Sequence, residues 1–155
     1  ILAHSKAAFP SFVRLGNALL QKAELEARLR ELAILRVARL LGSEYEWAQH
    51  EPFARDVGVT PQQINDIDSW SSSPAFDERE KAVLQYVDEV TKKVKVKDAT
   101  FNNLQKYLDA TSIVELTLSI GFWGMVARVL VPLQVEIEEQ RATSSADLLG
   151  RRQGG

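Results

Sequence analysis

Apolar residues recur at helical spacing along nearly the whole chain. Positions three and four apart lie on one face of a helix, so this period indicates amphipathic helices. No pair of alternating apolar and polar runs is joined by the Asn-Gly or Asp-Gly turn that is typical of a β-hairpin. The pattern therefore predicts an all-α fold, a single helical bundle of about six to seven helices.

Start and stop signals set the boundaries of the first three helices. Pro10 suits the first turn of helix one. The segment from Glu26 to Leu41 is so densely apolar that it predicts a covered core helix, which the following glycine ends. Ser43 and Glu46 form a capping-box pattern for the third helix. Pro52 falls inside that helix and predicts either a kink or two shorter helices.

Similar signals divide the second half of the chain. We expect a short helix over 61–67 and a long one that begins at Asp77 and ends in a lysine-rich segment. A further helix should begin at Asp98 and bury the side chains of Phe101, Leu104, Tyr107 and Leu108. Thr111 or Ser112 should cap the last helix. In the last helix, Gly121 and Gly124 predict close packing against another backbone. Residues 1–140 are expected to form one domain, and the small, polar residues 141–155 a mobile tail.

Charge and composition exclude several partners. The chain has 155 residues, a formal net charge of -2 and no dense run of basic residues, so nucleic acid is not expected. The most apolar stretch, 113–135, contains Glu115, Arg128 and Pro132, which argues against a membrane span. We expect a cytoplasmic protein. The sequence contains no cysteine, which excludes disulfides, thiolate ligands and a thiol nucleophile.

Three side chains are candidates for proton transfer. His50 follows Glu46 by four residues, so both emerge on one face of the third helix. Glu31 lies amid leucines on the core helix, where a carboxylate needs a partner or a solvent-filled pocket. A hairpin at the intervening turn would bring Glu31 towards the other two. The same spacing also occurs in exposed ion pairs, and it offers two metal ligands with little to complete a site.

Residues 29–58 closely resemble the signature helices of the carboxymuconolactone decarboxylase and alkylhydroperoxidase D superfamily. The resemblance extends to Glu115-Leu-x-x-x-Ile-Gly-Phe and Met125-Val-Ala-Arg and covers most of the chain from residue 9 to 138. In the peroxidase branch the turn reads Cys-x-x-Cys-x-x-x-His, and here Ser43 and Glu46 replace both cysteines. The resemblance implies that His50 and Glu31 belong to the proton relay that remains.

The decarboxylase branch carries a glutamate four positions before the histidine and needs no thiol. The resemblance therefore implies a cofactor-independent lyase or isomerase that acts on a small, anionic carboxylated lactone or β-oxo acid, and not a thiol peroxidase. His50 or protonated Glu31 would protonate an enolate-like intermediate, and Glu46 would orient His50. The predicted substrate-binding side chains are those of Tyr45, Trp47, Arg36, Arg39 and Arg128.

Two other interpretations stay open. One is a catalytically silent interaction module of the same fold, in which Glu46 and His50 are merely paired. The other is a metal-dependent hydrolase, although we expect no metal and no cofactor. The apolar surface of the last helix exceeds what one small bundle covers, so a homo-oligomer is expected, a dimer, trimer or hexamer by the same resemblance.

Overall fold

The computed structural model describes residues 1–137, and within them the chain is all-α, as predicted. Its α-helices are α1 Phe9–Gln21, α2 Ala27–Leu41, α3 Glu44–Asp56, α4 Pro61–Asn65, α5 Glu78–Lys93, α6 Asp98–Leu104 and α7 Ala110–Leu130. Two short 3-10 helices, Leu2–His4 and Ile67–Ser69, complete the regular structure of this part of the chain. The predicted tail at 141–155 lies outside the described residues.

Helix α2 forms the centre of the bundle. Every residue from Leu29 to Ala38 is buried, because α3, α5 and α7 pack around this helix. Gly42 ends α2 in the left-handed conformation, at φ 65°, which glycine adopts without the steric cost that a Cβ brings. The predicted core helix and its glycine stop are therefore confirmed.

Helix α7 is the longest helix of the described residues. By length and composition alone it could cross a membrane, but 56% of its most apolar window is buried inside the fold. It packs against α1, α2, α3 and α5, and Gly16 of α1 allows the ring of Phe122 to approach closely. The apolar character of α7 is thus partly explained by its place in the bundle core.

Two predicted caps are wrong. The Ser43 side chain makes no capping hydrogen bond to α3. Full capping boxes form instead at the starts of α4 and α5, by Thr60 with Gln63 and by Asp77 with Glu80. Asp109 caps α7, two to three residues before the predicted cap, because its carboxylate is the one that reaches the backbone N–H of Ser112.

Other expectations are corrected by packing. Pro52 lies inside α3, which is one helix from Glu44 to Asp56, so the alternative of two shorter helices is wrong. The predicted helix over 61–67 ends at Asn65 and is followed by the 3-10 turn. Phe101 and Tyr107 are each 38% exposed, because the short α6 buries mainly its leucine face against α5. A Cβ at Gly121 would meet no described atom within 4 Å, so this glycine is not explained by packing inside the protomer.

Candidate active site

The α2–α3 hairpin places Glu31 beside His50. Glu31 Oε2 lies 2.8 Å from His50 Nδ1, and both residues are buried. The two helices are antiparallel neighbours joined at Gly42, so a side chain near the middle of α2 faces the middle of α3. The contact that the sequence suggested between these two side chains is therefore present.

Trp123 of α7 forms a hydrogen bond with the other nitrogen of the His50 imidazole. Its indole Nε1–H donates to His50 Nε2 over 2.7 Å, with the two rings nearly perpendicular. An indole N–H can only donate, so Nε2 is the acceptor and the ring proton is on Nδ1, from which it is donated to Glu31. Glu31 and Trp123 together hold His50 in one neutral tautomer and one orientation.

A buried guanidinium lies next to Glu31. The Arg30 Nε is 3.4 Å from Glu31 Oε1, and its terminal nitrogen donates to the Leu19 carbonyl over 3.3 Å. Arg30 is only 7% exposed, so its charge compensates the Glu31 carboxylate in a region that water barely reaches. Glu31 therefore accepts hydrogen bonds from two donors, the His50 ring and the Arg30 guanidinium.

Glu46 lies one turn before His50 on α3 and behaves differently from Glu31. It is 2% exposed, and neither carboxylate oxygen has a hydrogen-bond partner among the described residues. Burial raises its pKa to about 7, and the nearby Ser43 hydroxyl opposes part of that shift without forming a well-aligned hydrogen bond. The expectation that Glu46 orients His50 is wrong, since Glu31 and Trp123 do so.

Glu46 is chemically suited to exchange protons. A carboxyl group whose pKa is about 7 populates both its acid and its base form at neutral pH. Ser43, its neighbour, lines a cavity of about 150 Å³ between the α2–α3 turn and the end of α7. Tyr45 lines the same cavity, as does Leu130 of α7. A small molecule in this cavity would lie beside Ser43, whereas Glu46 itself does not line the cavity.

The three arginines that the sequence suggested for substrate binding lie elsewhere. Arg36 forms a two-point pair with Asp88 at 2.7 and 3.0 Å, facing α5. Arg39 stacks over the ring of Trp47 at 3.9 Å, near the surface. Arg128 donates to the Gly124 carbonyl over 2.7 Å. None of the three has a described hydrogen bond or ion pair with Glu31, Glu46 or His50, and their role with substrate stays a prediction.

Sequence reasoning missed Trp123 and Arg30. Trp123 lies 73 residues from His50 in the sequence, so local spacing gives no signal for the contact. Its position directly after the Ile-Gly-Phe motif was the only available hint. Arg30 adjoins Glu31, and neighbours on a helix ordinarily diverge. Within residues 1–137, no three metal-ligating side chains cluster closely enough to hold a metal ion.

Solved structures with this architecture include a protein of unknown function from Agrobacterium tumefaciens, described as a candidate AhpD antioxidant defence protein. It is 29% identical, with a TM-score of 0.83 over 89% of this chain and 95% of the other. An uncharacterized peroxidase-related protein from Ralstonia eutropha JMP134 is 19% identical, with a TM-score of 0.75 over 84% of this chain and 70% of the other. The debrominase Bmp8, solved with 2,3,4-tribromopyrrole, is 15% identical, with a TM-score of 0.78 over 88% of this chain and 74% of the other. The last two likenesses concern the fold alone.

Sequence comparison agrees with the structural one. The uncharacterized protein YdfG of Bacillus subtilis, strain 168, is 26% identical over 112 residues, which span 69% of this chain and 76% of that protein. The model of the carboxymuconolactone decarboxylase family matches residues 6–89, more than half of the chain. This match includes both helices that carry Glu31, Glu46 and His50. The chain belongs to the carboxymuconolactone decarboxylase family.

Proposed function

We propose that this chain is an acid/base enzyme, a decarboxylase or isomerase that moves a proton by means of Glu46 and needs no thiol. The observation that carries the proposal is the buried carboxyl group of Glu46, which has no hydrogen-bond partner in the described part of the chain and whose pKa burial raises to about 7. Keeping such a group desolvated costs stability, and functional sites are where such groups concentrate. The substrate is a small carboxylated lactone or β-oxo acid, as family membership suggests.

In the proposed step, the bond between the substrate's carboxylate and its α-carbon breaks and carbon dioxide leaves. The electron pair remains on the substrate as an enolate-like carbanion. Protonated Glu46 then donates its proton to the α-carbon, and its carboxylate regains a proton from solvent before the next turnover. His50, whose Nε2 already accepts from Trp123, serves as a rigid polar wall and not as the primary base.

A thiol peroxidase reaction has no support in this chain. The two positions that carry cysteine in the peroxidase branch are Ser43 and Glu46, and the sequence contains no cysteine at all. Neither a hydroxyl nor a carboxylate forms the sulfenic acid through which a peroxidatic thiol cycles. The peroxidase-related descriptions of the structural neighbours therefore do not transfer to this chain.

We also propose that the protein assembles as a homo-oligomer through α7. Val114, Leu118 and Met125 are 58%, 49% and 42% exposed. With Gly121 they form a stripe along one side of the helix, at the alternating spacing of three and four residues typical of helix–helix contacts. A purely monomeric mass in size-exclusion chromatography with light scattering would contradict this assembly.

The function is tested by screening the purified protein against carboxylated lactones and β-oxo acids while carbon dioxide release is measured. For any substrate turned over, Glu46→Gln should reduce kcat about 100-fold or more, because the amide cannot donate the proton. The rate should fall as pH rises through about 7, where Glu46 loses its proton. Glu51→Gln, on the same helix but paired with Arg55 at the surface, is the matched control. A Glu46→Gln variant with the wild-type rate would contradict the proposal.

A further inference from the structure

Two carboxyl groups lie near the imidazole of His50, and their surroundings differ in charge. Glu31 Oε2 is 2.8 Å from His50 Nδ1. Glu46 is one turn before His50 on α3, where side chains four residues apart are neighbours. Both glutamates are only 2% exposed. The interior around His50 therefore has to accommodate two acidic groups at once.

Arg30 forms an ion pair with only one of these two groups. Its Nε is 3.4 Å from Glu31 Oε1, whereas Glu46 has no hydrogen-bond partner among residues 1–137. The other contact of the guanidinium is to a neutral group, the Leu19 carbonyl, at 3.3 Å. Arg30 is itself buried, so water does little to balance its charge. Glu31 is thus its counter-charge in the described part of the chain.

The other charged side chains on the helices around Glu46 are paired elsewhere or exposed. Helices α2 and α7 pack against α3. On α2, Arg28, Arg36 and Arg39 pair with carboxylates of α5 and of the 3-10 turn. On α7, Glu115 accepts from the Leu25 backbone and Arg128 is exposed, and the remaining charged residues of α3 are partly or fully exposed. Arg30 and Glu31 are therefore the buried charges that face the centre of α3.

The balance of charge decides where the protons of this region lie. His50 is neutral, because its Nε2 accepts from the Trp123 indole. One guanidinium and two carboxyl groups sum to zero when one carboxyl is ionised and the other is protonated, and burial disfavours any other sum. Arg30 stabilises the negative charge on Glu31, so the proton remains on Glu46. This distribution agrees with the burial that raises the pKa of Glu46 to about 7.

We propose that Arg30 is a positioning residue of the candidate active site, which holds Glu31 ionised and thereby keeps Glu46 in its acid form. Arg30 acts through Glu31 and does not contact the substrate. The inference rests on the proposed function, in which protonated Glu46 is the proton donor, and it names the residue that decides which carboxyl group carries that proton. The charge of Arg30 should therefore affect Glu46 as soon as Glu31 no longer neutralises it.

The test measures the titration midpoint of Glu46 without substrate, by ¹³C NMR of glutamate-labelled protein. In Glu31→Gln, the amide oxygen still accepts from His50 Nδ1, but the charge of Arg30 is no longer balanced. Glu46 should then ionise in place of Glu31, and its midpoint should fall from about 7 by about one pH unit, a tenfold change in proton affinity. Arg30→Met/Glu31→Gln removes both charges, and the midpoint should return to about 7.

The Glu51–Arg55 pair on α3 provides the matched control, because it is the same kind of ion pair in a more exposed position. Glu51→Gln and Arg55→Met/Glu51→Gln should leave the midpoint of Glu46 unchanged. A fall in Glu51→Gln as large as in Glu31→Gln would overturn the proposal, because the effect of Glu31 would then be unspecific.

Equal midpoints in Glu31→Gln and Arg30→Met/Glu31→Gln would also overturn the proposal, since Arg30 would then have only a packing role. An unchanged midpoint in Glu31→Gln has the same consequence, so the test does not depend on the folding of the double variant. Each of these results leaves the wild-type midpoint and the loss of rate in Glu46→Gln unaffected. Failure of this inference is thereby distinguished from failure of the proposed function.

Discussion

Two buried polar clusters meet the central helix α2, and they differ in how completely they are satisfied. The Arg28 cluster consists of Arg28, Gln63 and Glu80 and joins α2 to α4 and α5. The His50 cluster consists of Glu31, Glu46, His50 and Trp123 and joins α2 to α3 and α7. Both contain charged groups at low exposure, so burial alone does not distinguish them.

In the Arg28 cluster every side-chain polar atom of Gln63 and Glu80 has a partner. The Gln63 carbonyl oxygen accepts from Arg28 and from the Thr60 backbone, and its amide donates to the Ala75 carbonyl and to Glu80. Glu80 also accepts from the Asp77 backbone and pairs with Arg28. A fully paired network of this kind rigidifies a fold.

The His50 cluster pairs one carboxylate and leaves the other without a partner. Glu31 is held by His50 and Arg30, whereas both oxygens of Glu46 are unpaired among the described residues. The contrast teaches that pairing, and not burial of a charge as such, distinguishes the proposed site from a purely structural cluster. The predictions below test this distinction.

The largest expected effect is on the paired cluster. Glu80→Ala leaves a buried amide and a partly buried guanidinium without their acceptor, so the free energy of unfolding should fall by roughly 3 kcal/mol. Urea denaturation measures the loss. Glu78→Ala, two residues earlier and exposed, should change stability by less than about 0.5 kcal/mol. Equal losses in the two variants would remove the structural role of the Arg28 cluster.

Replacement of Glu46 by glutamine should stabilise the protein, and only at higher pH. Its pKa is raised above the ordinary 4.5, so its favourable contribution is complete below pH 4.5 and is lost as pH rises through about 7. Between pH 5 and 8 the wild type should lose about 2 kcal/mol relative to Glu46→Gln. Denaturation series at both pH values test this, and parallel pH profiles would contradict it.

Loss of the indole donor should change the state of His50. Trp123→Phe leaves Nε2 without its hydrogen-bond donor, so the ¹⁵N signal of Nε2 should move from its wild-type position, while Nδ1 keeps Glu31 as its partner. The stability loss should be about 1–2 kcal/mol. Trp47→Phe, a half-buried tryptophan under Arg39, is the control and should leave the His50 signals unchanged. Identical His50 spectra in wild type and Trp123→Phe would refute the tautomer lock.

The smallest expected effects on stability are at two glycines, Gly16, where a neighbouring ring would meet an added Cβ, and Gly121, where no atom of the protomer would. A Cβ at Gly16 would lie 3.0 Å from the ring of Phe122, so Gly16→Ala should destabilise the protein. Gly121→Ala meets open space within the protomer and should stabilise α7 of an isolated protomer by at most about 1 kcal/mol, whereas in the proposed assembly its Cβ would enter the α7 contact and weaken it. Thermal unfolding of both variants provides the comparison, and a destabilising Gly121→Ala would indicate that another molecule occupies that space.

The sequence was sufficient for the fold where local chemistry decides the structure. Helix α2 ends where Gly42 supplies the left-handed conformation, and α4 begins where Thr60 precedes Pro61. The sequence failed at Ser43, whose capping pattern looked complete but whose hydroxyl is buried with no partner among residues 1–137. A local sequence pattern carries no information on burial, and burial decides which polar groups need a hydrogen-bond partner inside the protein.

The candidate site was only partly predictable for the same reason. Helical period places Glu46 and His50 on one face, and the α2–α3 hairpin brings Glu31 to them. Spacing does not tell which glutamate reaches the imidazole, and in the structure it is Glu31 and not Glu46. Trp123 comes from a distant helix, so only tertiary packing reveals it.

Direct titration of the Glu46 carboxyl group tests the central claim most closely. ¹³C NMR of glutamate-labelled protein, with the signal assigned by its absence in Glu46→Gln, gives the midpoint without reference to any substrate. We predict a midpoint of about 7, set by burial without a partner. A midpoint near 4.5 would mean that Glu46 is hydrated or paired in solution and would contradict its assignment as the proton carrier.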